Sequence, residues 1–302
     1  MHFSSLLLVV GALLGVSCHG VPDTDQQRIR ITSFLNKRRP ASMDFWKDKS
    51  IRGQSPADFG AGRIAILLPP DIEPKIKLSI QPDHVHKLSV EFATAKRLTI
   101  GAAAALSRDG YFLTAAHCVE DAPQCTLIAL NQSEGMTAAK ARVVWRGDYA
   151  NDGPDLALIH APVRPYDTLT PTMTALPGGA VLTCGFGSHG LPQLAYGTSG
   201  GKINYLGSIQ QTPDGARWRE IGHTAPMAPG DSGGPLIGEA GELLGINVTV
   251  GGAAIFPLGL NQIWGYQGTA MSADPDWIDF LIKQDRKQHP TKPRHYGKRA
   301  GS

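Results

Sequence analysis

Short apolar runs separated by turn residues fill the chain from Leu98 onwards. Gly, Pro, Asn and Asp punctuate these runs, and such regular alternation predicts an all-β fold, either a barrel or a sandwich. Representative runs read "LTIGAAAAL", "YFLTAA", "CTLIAL", "DLALIHA", "GAVLTCGFG" and "ELLGINVTV".

One segment follows helical rather than strand spacing. "DPDWIDFLIKQDRK" (274–287) places Trp277, Phe280 and Leu281 at helical intervals, begins with Asp before Pro, and ends in basic residues. These start and stop signals predict a C-terminal α-helix. In "QQTPDGARW" (210–218), turn residues separate two strand-like runs, and this pattern predicts a hairpin.

The first 96 residues differ from the rest of the chain in composition and in hydrophobic periodicity. Residues 4–20 hold an apolar run followed by small residues, which predicts a signal peptide over 1–20 although "MHFSS" has no Lys or Arg. "LGVSC" faintly resembles a bacterial lipobox, so a lipid anchor at Cys18 is the alternative. We therefore expect a secreted or periplasmic protein, or one lipid-anchored at the cell envelope. No other apolar run is long enough to cross a membrane, so we expect no integral membrane segment after signal removal.

Residues 21–96 are polar, dotted with proline and weakly periodic, and they include the dibasic stretch "NKRRP" (36–40). We interpret 21–96 as an N-terminal extension or a removed propeptide. His84 and His86 would share one face of a strand there, but they are better read as surface residues than as metal ligands. The sequence predicts no metal site and no cofactor.

Composition and charge are those of an ordinary globular protein. The 302 residues are 42% hydrophobic and 18% charged, and the formal net charge is +3. So small an excess of positive charge predicts no surface dedicated to binding nucleic acid. Seven Lys or Arg accompany one acid, Asp285, between Lys283 and the end. We expect 285–302 to be a basic disordered tail, and binding to a polyanion or envelope surface is the alternative.

The cysteines show no spacing that suits zinc. Cys118 and Cys125 are seven residues apart and could close a small disulfide loop in an oxidising compartment. Cys184 lies in an apolar, strand-like stretch, where we expect a buried thiol.

The stretch "GDSGGPL" (230–236) surrounds Ser232 with turn-forming residues. A phosphate-binding loop is excluded because no G-x-x-x-x-G-K-[ST] occurs. A nucleophile elbow would need a helix after the serine and a later histidine, but only the tail histidines His289 and His295 follow. The remaining chemistry is a nucleophilic serine whose loop supplies an oxyanion hole from the N–H groups of Gly230 and Ser232.

A serine hydroxyl needs a base, and the base needs an orienting acid. "YFLTAAHC" places His117 at the end of an apolar run, and "NDGPDLALIH" places Asp155 at the start of another. Asp152 competes for the acidic role, but only Asp155 opens the "DLAL" run.

These three stretches together resemble a known family. "LTAAHC" (113–118), "DLAL" (155–158) and "GDSGGP" (230–235) are similar to the signature blocks of the trypsin-like serine proteases, over about 98–283. "GELLGINVTV" resembles the bacterial branch.

The family implies two six-stranded antiparallel barrels with a C-terminal α-helix, here over 97–284. It also implies a serine endopeptidase that cleaves protein or peptide substrates through an acyl-enzyme. In these roles Ser232 attacks the scissile carbonyl, and His117 takes the proton of Ser232 and delivers it to the leaving amine. Asp155 orients the imidazole of His117. The alternative is an inactive protease fold used for binding.

Departures from the family pattern set further expectations. "LTIGAAAAL" lacks the family's usual cysteine partner for Cys118, and no activation site of the usual form appears. We therefore expect internal donors to hold Asp231 in place of a new amino terminus. The glycine-rich "GFGSHG" (185–190) is read as a surface turn rather than a dinucleotide site.

Motif spacing also indicates a specificity pocket. It places Pro226 at the base of the pocket and Val248, Thr249 and Val250 along its wall. The absence of an acid at the base favours a small or medium apolar side chain before the scissile bond. Glutamate recognition through His223 is the alternative.

Overall fold

The computed structural model describes residues 27–32, 45–81, 84–94, 100–119, 122–131, 135–174, 177–187, 193–194, 197–228, 230–250 and 268–290. Strands dominate this part of the chain. In chain order they are β1 Gln27–Thr32, β2 Ile64–Leu68, β3 Lys75–Gln81, β4 His84–Thr94, β5 Gly101–Ala105, β6 Tyr111–Thr114, β7 Gln124–Asn131, β8 Gly135–Arg146, β9 Ala157–His160, β10 Ala180–Gly185, β11 Gln193–Leu194, β12 Gly197–Gln211, β13 Arg217–His223, β14 Pro235–Gly238, β15 Leu243–Val250 and β16 Gly268–Ala273.

Helical segments are few among the described residues. A short helix covers Pro56–Ala61, a C-terminal helix covers Pro275–Gln288, and turns of 3-10 helix cover Ala116–Cys118 and Tyr149–Asn151. The C-terminal helix begins as the sequence predicts, because the Asp274 side chain accepts a hydrogen bond from Asp276 N–H and Pro275 opens the first turn. The predicted hairpin is also confirmed, since β12 and β13 flank the 212–216 turn.

Twelve strands close into two six-stranded antiparallel barrels. The first barrel has the order β2-β5-β6-β9-β8-β7, and the second has the order β10-β12-β13-β16-β15-β14. β2 pairs with both β5 and β7, and β10 pairs with both β12 and β14, so each barrel has no open edge. The predicted fold class, two six-stranded barrels with a C-terminal helix, is confirmed.

The first barrel begins earlier than the sequence analysis placed it. β2 lies within 21–96, the segment that we interpreted as an extension, and all five of its residues are buried. Ala65 and Leu67 pack inside the first barrel, whereas Ile64, Ile66 and Leu68 pack in a second cluster with Trp46 and residues of the second barrel. Loss of the whole of 21–96 would therefore open the barrel. The strand was missed because the next barrel strand follows only after a long insertion.

That insertion forms part of a separate four-stranded sheet with the order β11-β1-β4-β3. β3 and β4 are a hairpin between β2 and β5, and β1 pairs antiparallel with β4 over Gln27–Thr32. β1 also pairs in parallel with β11, which belongs to the connection between β10 and β12. The early N-terminal segment thus links insertions from both barrels.

The C-terminal helix is locked onto the first barrel through Asp285. Tyr111 donates a hydrogen bond to the Asp285 carboxylate at 2.9 Å, and Arg142 binds both of its oxygens at 2.7 and 2.8 Å. Asp285 therefore lies within the helix, with its side chain buried against the first barrel, and the tail predicted from residue 285 does not begin there. The sequence analysis assigned it to the tail because its basic neighbours dominate the local charge.

Several predictions concern residues without a structural description. The signal peptide, Cys18, the dibasic stretch 36–40 and residues 291–302 lie outside the described residues. His84 and His86 lie on β4, but the environment of their side chains is also outside that description. Within the described ranges, no helix is both long and apolar enough to cross a membrane.

His223, the last residue of β13, is fully buried in the second barrel. Among the described residues, no hydrogen-bond partner lies within reach of either ring nitrogen. Burial lowers the pKa of His223 to about 4, although the Ala225 backbone and the Asn247 side chain favour the charged ring. The imidazole is therefore neutral at pH 7.

Replacing Asp285 should loosen the C-terminal helix. Burial raises the pKa of this carboxyl, but the hydrogen bonds from Arg142 and Tyr111 outweigh burial and hold the pKa below its usual value. Asp285→Ala leaves both donors without their acceptor, and we expect the free energy of unfolding at pH 7 to fall by about 3 kcal/mol. Urea denaturation measures this change. Asp279→Ala, on the exposed face of the same helix, is the matched control. Equal losses of stability in the two variants would contradict a role of Asp285 in attaching the helix to the barrel.

His223 should make the fold sensitive to acid. Its pKa is about 4 in the folded protein and about 6.5 when unfolded, so the unfolded chain binds more protons between these values. Stability is therefore fully present above about pH 6.5 and falls by about 3 kcal/mol on acidification to pH 4. Urea denaturation at pH 7, 5.5 and 4 should show a shallower decline in His223→Leu. Parallel declines in the two proteins would rule out this role.

Candidate active site

His117 lies on the 3-10 turn Ala116–Cys118, directly after β6. Ala115 and Ala116 are fully buried, and their small side chains let the turn pack against the barrel. The Cys118 N–H donates to the Ala115 carbonyl at 3.1 Å and closes the turn. The imidazole is left with only 12% of its surface exposed.

Asp155 holds His117 at two points. Its Oδ1 accepts a hydrogen bond from the His117 backbone N–H at 2.9 Å, and its Oδ2 lies 2.6 Å from Nδ1 of the ring. Asp155 precedes β9, which pairs with β6, so the pairing of these strands brings the two residues together. A carboxylate at Nδ1 favours the tautomer with its proton there, which leaves Nε2 as the acceptor.

Ser232 comes from the second barrel, in the loop between β13 and β14, and is 4% exposed. Its carbonyl accepts a hydrogen bond from Ala102 N–H of β5 at 2.8 Å. Gly101, next to Ala102, lies against Cys118, because a Cβ at residue 101 would be 2.7 Å from the Cys118 Sγ. Since Cys118 follows His117, these contacts bring the Ser232 backbone to the part of the first barrel that carries His117.

Gly233 permits this close approach of the two barrels. Its φ is +81°, and a Cβ there would lie 2.0 Å from the Ala102 carbonyl oxygen and 2.3 Å from the Thr114 hydroxyl. No other residue could occupy this position without moving the backbone of β5.

The Asp231 carboxylate stabilises the serine loop from inside. Asp231 is fully buried, and it accepts hydrogen bonds from Gly187 N–H at 2.9 Å and from Ala228 N–H at 2.8 Å. The expectation that internal donors hold Asp231 is confirmed. Gly187 belongs to the predicted surface turn "GFGSHG"; residues 188–190 of that turn lie outside the described residues.

The rest of the serine loop is also fixed by backbone bonds. Gly233 N–H donates to the Asn247 carbonyl at 2.7 Å, and Gly234 N–H donates to the Asp231 carbonyl at 2.9 Å. Gly230 has a φ of +99°, a conformation that favours glycine. The loop is thus rigid on both sides of Ser232.

The residues predicted to form the specificity pocket lie between β13 and β14 and on β15. Pro226 is exposed at its start, Val248 is buried on β15, and Thr249 is exposed. Val250 ends β15, and its side chain is outside the description. The predicted alternative for glutamate recognition, His223, is buried in the interior of the second barrel.

The disulfide that Cys118 and Cys125 could form is not present in the structure. Cys118 and Cys125 are both thiols, as is Cys184, so no disulfide joins the described cysteines. Cys125 is buried on β7, and burial raises its pKa to about 12. Cys118 instead faces Gly101 of β5, a position that the sequence spacing of the cysteines does not indicate.

Asp152 takes a different place from Asp155. It ends the 3-10 turn Tyr149–Asn151 in the left-handed conformation, with a φ of 61°, and lines a cavity that also borders Asp155. The other walls of this cavity include Tyr149, Trp218 and Glu220. Sequence reasoning missed these three residues because they come from separate segments and belong to no motif.

The contact between Gly101 and Cys118 predicts an engineered disulfide. A Cβ at residue 101 would lie 3.1 Å from the Cβ of Cys118, slightly closer than the roughly 3.5–4.5 Å of a relaxed disulfide. We expect Gly101→Cys to form this bond under oxidising conditions and to gain about 2 kcal/mol of stability over its reduced form. Thiol titration and urea denaturation measure the two effects. Gly101→Ala is the control and should be destabilised by the clash, whereas a reactive Cys118 thiol in oxidised Gly101→Cys would contradict the geometry.

This chain is similar to solved protease structures. The chain is similar over 81% of its length to the crystal structure of the serine endoprotease from Yersinia pestis, at 18% identity and a TM-score of 0.44. It is similar over 77% of its length to the HtrA-type protease AlgW with decapeptide, at 22% identity and a TM-score of 0.47. The chain covers 66% of each of these structures, slightly less than two thirds of their length.

No curated protein sequence matches the chain. Residues 101–246 match the family model described as the trypsin-like peptidase domain. These residues contain His117, Asp155 and Ser232, and the match confirms the resemblance of this part of the chain to the trypsin-like serine proteases.

Proposed function

We propose that this protein is a serine endopeptidase that uses Ser232, His117 and Asp155 as its catalytic residues. The observation that carries the proposal is the two-point contact between Asp155 and His117, with an Oδ2–Nδ1 distance of 2.6 Å. Such a contact holds the ring with Nε2 available as a base, which is what activation of a serine hydroxyl requires.

The acylation step follows from these roles. The Ser232 Oγ attacks the carbonyl carbon of the peptide bond while its proton passes to Nε2 of His117. Asp155 stabilises the resulting imidazolium. When the tetrahedral intermediate collapses, the C–N bond breaks and His117 returns the proton to the leaving amine. Water then attacks the acyl-enzyme while His117 takes its proton, and His117 returns a proton to the Ser232 Oγ as the peptide acid is released.

The N–H groups of Gly230 and Ser232 are proposed to bind the oxyanion. The positive φ of Gly230 and the internal bonds of Asp231 support this role, because the loop needs no rearrangement when charge develops. Each such donor contributes about 3 kcal/mol to stabilisation of the transition state in comparable sites.

Peptide substrates are proposed to bind along β15. β14 pairs with β15 between Pro235↔Ile246 and Ile237↔Leu243, so residues 248–250 extend beyond these pairs. A peptide can pair with such an edge as an added strand. Val248, Thr249 and Val250 would then flank the substrate, and Pro226 would lie at the base of a pocket for a small or medium apolar side chain.

The proposed location is outside the cytoplasm, in a secreted or periplasmic form. The apolar run and small residues of 4–20 support export, and a lipid anchor at Cys18 is the alternative. Removal of residues 1–20 would leave both barrels intact, because β2 begins at Ile64.

A fluorophosphonate probe tests the catalytic proposal directly. We expect the full chain to be labelled at Ser232 and the Ser232→Ala variant not to be labelled. Asp155→Asn should slow labelling by about 10³-fold, because the ring loses the acceptor that fixes its tautomer. Labelling followed by mass spectrometry measures both effects.

The controls separate activity from folding. Circular dichroism and urea denaturation should show that both variants retain the stability of the wild type to within about 1 kcal/mol. A folded wild type that resists labelling would contradict the endopeptidase proposal and favour the binding-only alternative. Labelling at a residue other than Ser232 would also contradict it.

A further inference from the structure

The cavity beside Asp155 has a volume of about 510 Å³ and lies between the two barrels. The first barrel contributes Tyr149 and Asp152 to one wall, and β13 contributes Trp218 and Glu220 to the other. The Tyr149 ring lies 6.5 Å from the His117 ring, measured between centroids. The cavity therefore borders Asp155 and lies beside the His117–Asp155 pair.

The side chains that line the cavity form two chemically different zones. Trp218 and Glu220 are two residues apart on β13, so both face the cavity, and Met271 of β16 pairs opposite Glu220. Trp218, Met271 and Val248 supply apolar surface to the lining. Asp152 and Glu220 add carboxylates from opposite barrels.

The part of the cavity wall that the structure describes carries an excess of acidic groups. Among the described lining residues are Asp152, Asp155 and Glu220 but no Lys, Arg or His. Asp155 is engaged by His117, whereas Asp152 and Glu220 take part in no ion pair within the described part of the chain. On the same strand, Arg217 is paired with Asp274 at 3.0 Å. Arg219 is adjacent to Glu220 in sequence, but side chains alternate along a strand and Arg219 is not among the residues that line the cavity.

We infer that this cavity selects substrates with Lys or Arg two to four residues before the scissile bond. This inference rests on the proposed function, because it assumes that the substrate runs along β15, past Val248 and Thr249. The methylene groups of the basic side chain lie on Trp218 and Met271, and its charged end lies between Asp152 and Glu220. Such a side chain matches both zones, because its stem is apolar and only its end is charged.

The test compares two peptides that differ only in charge. One carries Arg and the other carries citrulline, its neutral isostere, at each of the three positions in turn. Binding is measured by fluorescence anisotropy with the full-length Ser232→Ala protein, so that no cleavage is needed. We expect Arg to bind about tenfold more tightly than citrulline at one of these positions. The preference should weaken as salt is raised from 0.05 to 0.5 M because the cavity is open to solvent.

Substitutions in the cavity identify the carboxylates responsible. In Glu220→Gln and Asp152→Asn the preference for Arg should fall to about twofold or less, since each variant removes one charge and keeps the shape. Asn is also suited to the left-handed backbone at residue 152. Asp279→Asn removes a charge from the exposed face of the C-terminal helix, and the preference should persist in this control.

Failure of this inference is distinguishable from failure of the proposed function. Equal affinity for the Arg and citrulline peptides, or no binding of either, would overturn the inference, whatever the result of probe labelling. A salt-sensitive preference for Arg that is lost in Glu220→Gln would support it even if the wild type were not labelled. If a variant does not fold, the salt dependence measured on the parent protein decides between these outcomes.

Discussion

The close approach of the serine loop to strand β5 is the contact on which the candidate site depends. The Ser232 carbonyl accepts a hydrogen bond from Ala102, and Gly233 passes so near the same strand that a Cβ would meet the Ala102 carbonyl at 2.0 Å. The two barrels also share a buried apolar cluster, and this contact fixes the serine loop against the first barrel. His117 lies one residue from Cys118, which packs against Gly101 at that point. Small side chains at 101 and 102 and a glycine at 233 are therefore as necessary to the site as its reactive groups.

A second constraint keeps the serine loop in shape. The buried carboxylate of Asp231 would be strongly destabilising without donors, because burial of an unpaired charge costs several kcal/mol. The backbone N–H groups of Gly187 and Ala228 supply those donors. Gly187 lies in the connection that also contains β11, and β11 pairs with the N-terminal strand β1. The serine loop is thus held by parts of the chain on either side of it, and the charge of Asp231 needs no amino-terminal ammonium.

The proposed catalytic residues could be picked out from the sequence because each lies in a short continuous stretch. "LTAAHC", "DLAL" and "GDSGGP" combine a candidate catalytic side chain with the small residues that its turn requires. The strand β2 was not readable in this way, since 32 residues, including β3 and β4, separate it from the next strand of its barrel. Asp285 was misassigned because its partners, Tyr111 and Arg142, are distant in sequence. The sequence left open whether Cys118 and Cys125 form a disulfide, because spacing along the chain says nothing of the distance between them.

The sequence by itself determined the all-β class, the C-terminal helix, and the positions of His117, Asp155 and Ser232 along the chain. These depend on local periodicity and on turn chemistry, which neighbouring residues specify. Only the tertiary structure decided that Ile64–Leu68 closes the first barrel and that Gly101 faces Cys118. It alone also placed Asp152 and Glu220 across one cavity. Each of these results joins segments far apart in the chain, and such contacts are set by barrel closure and by packing between barrels, which no local pattern encodes.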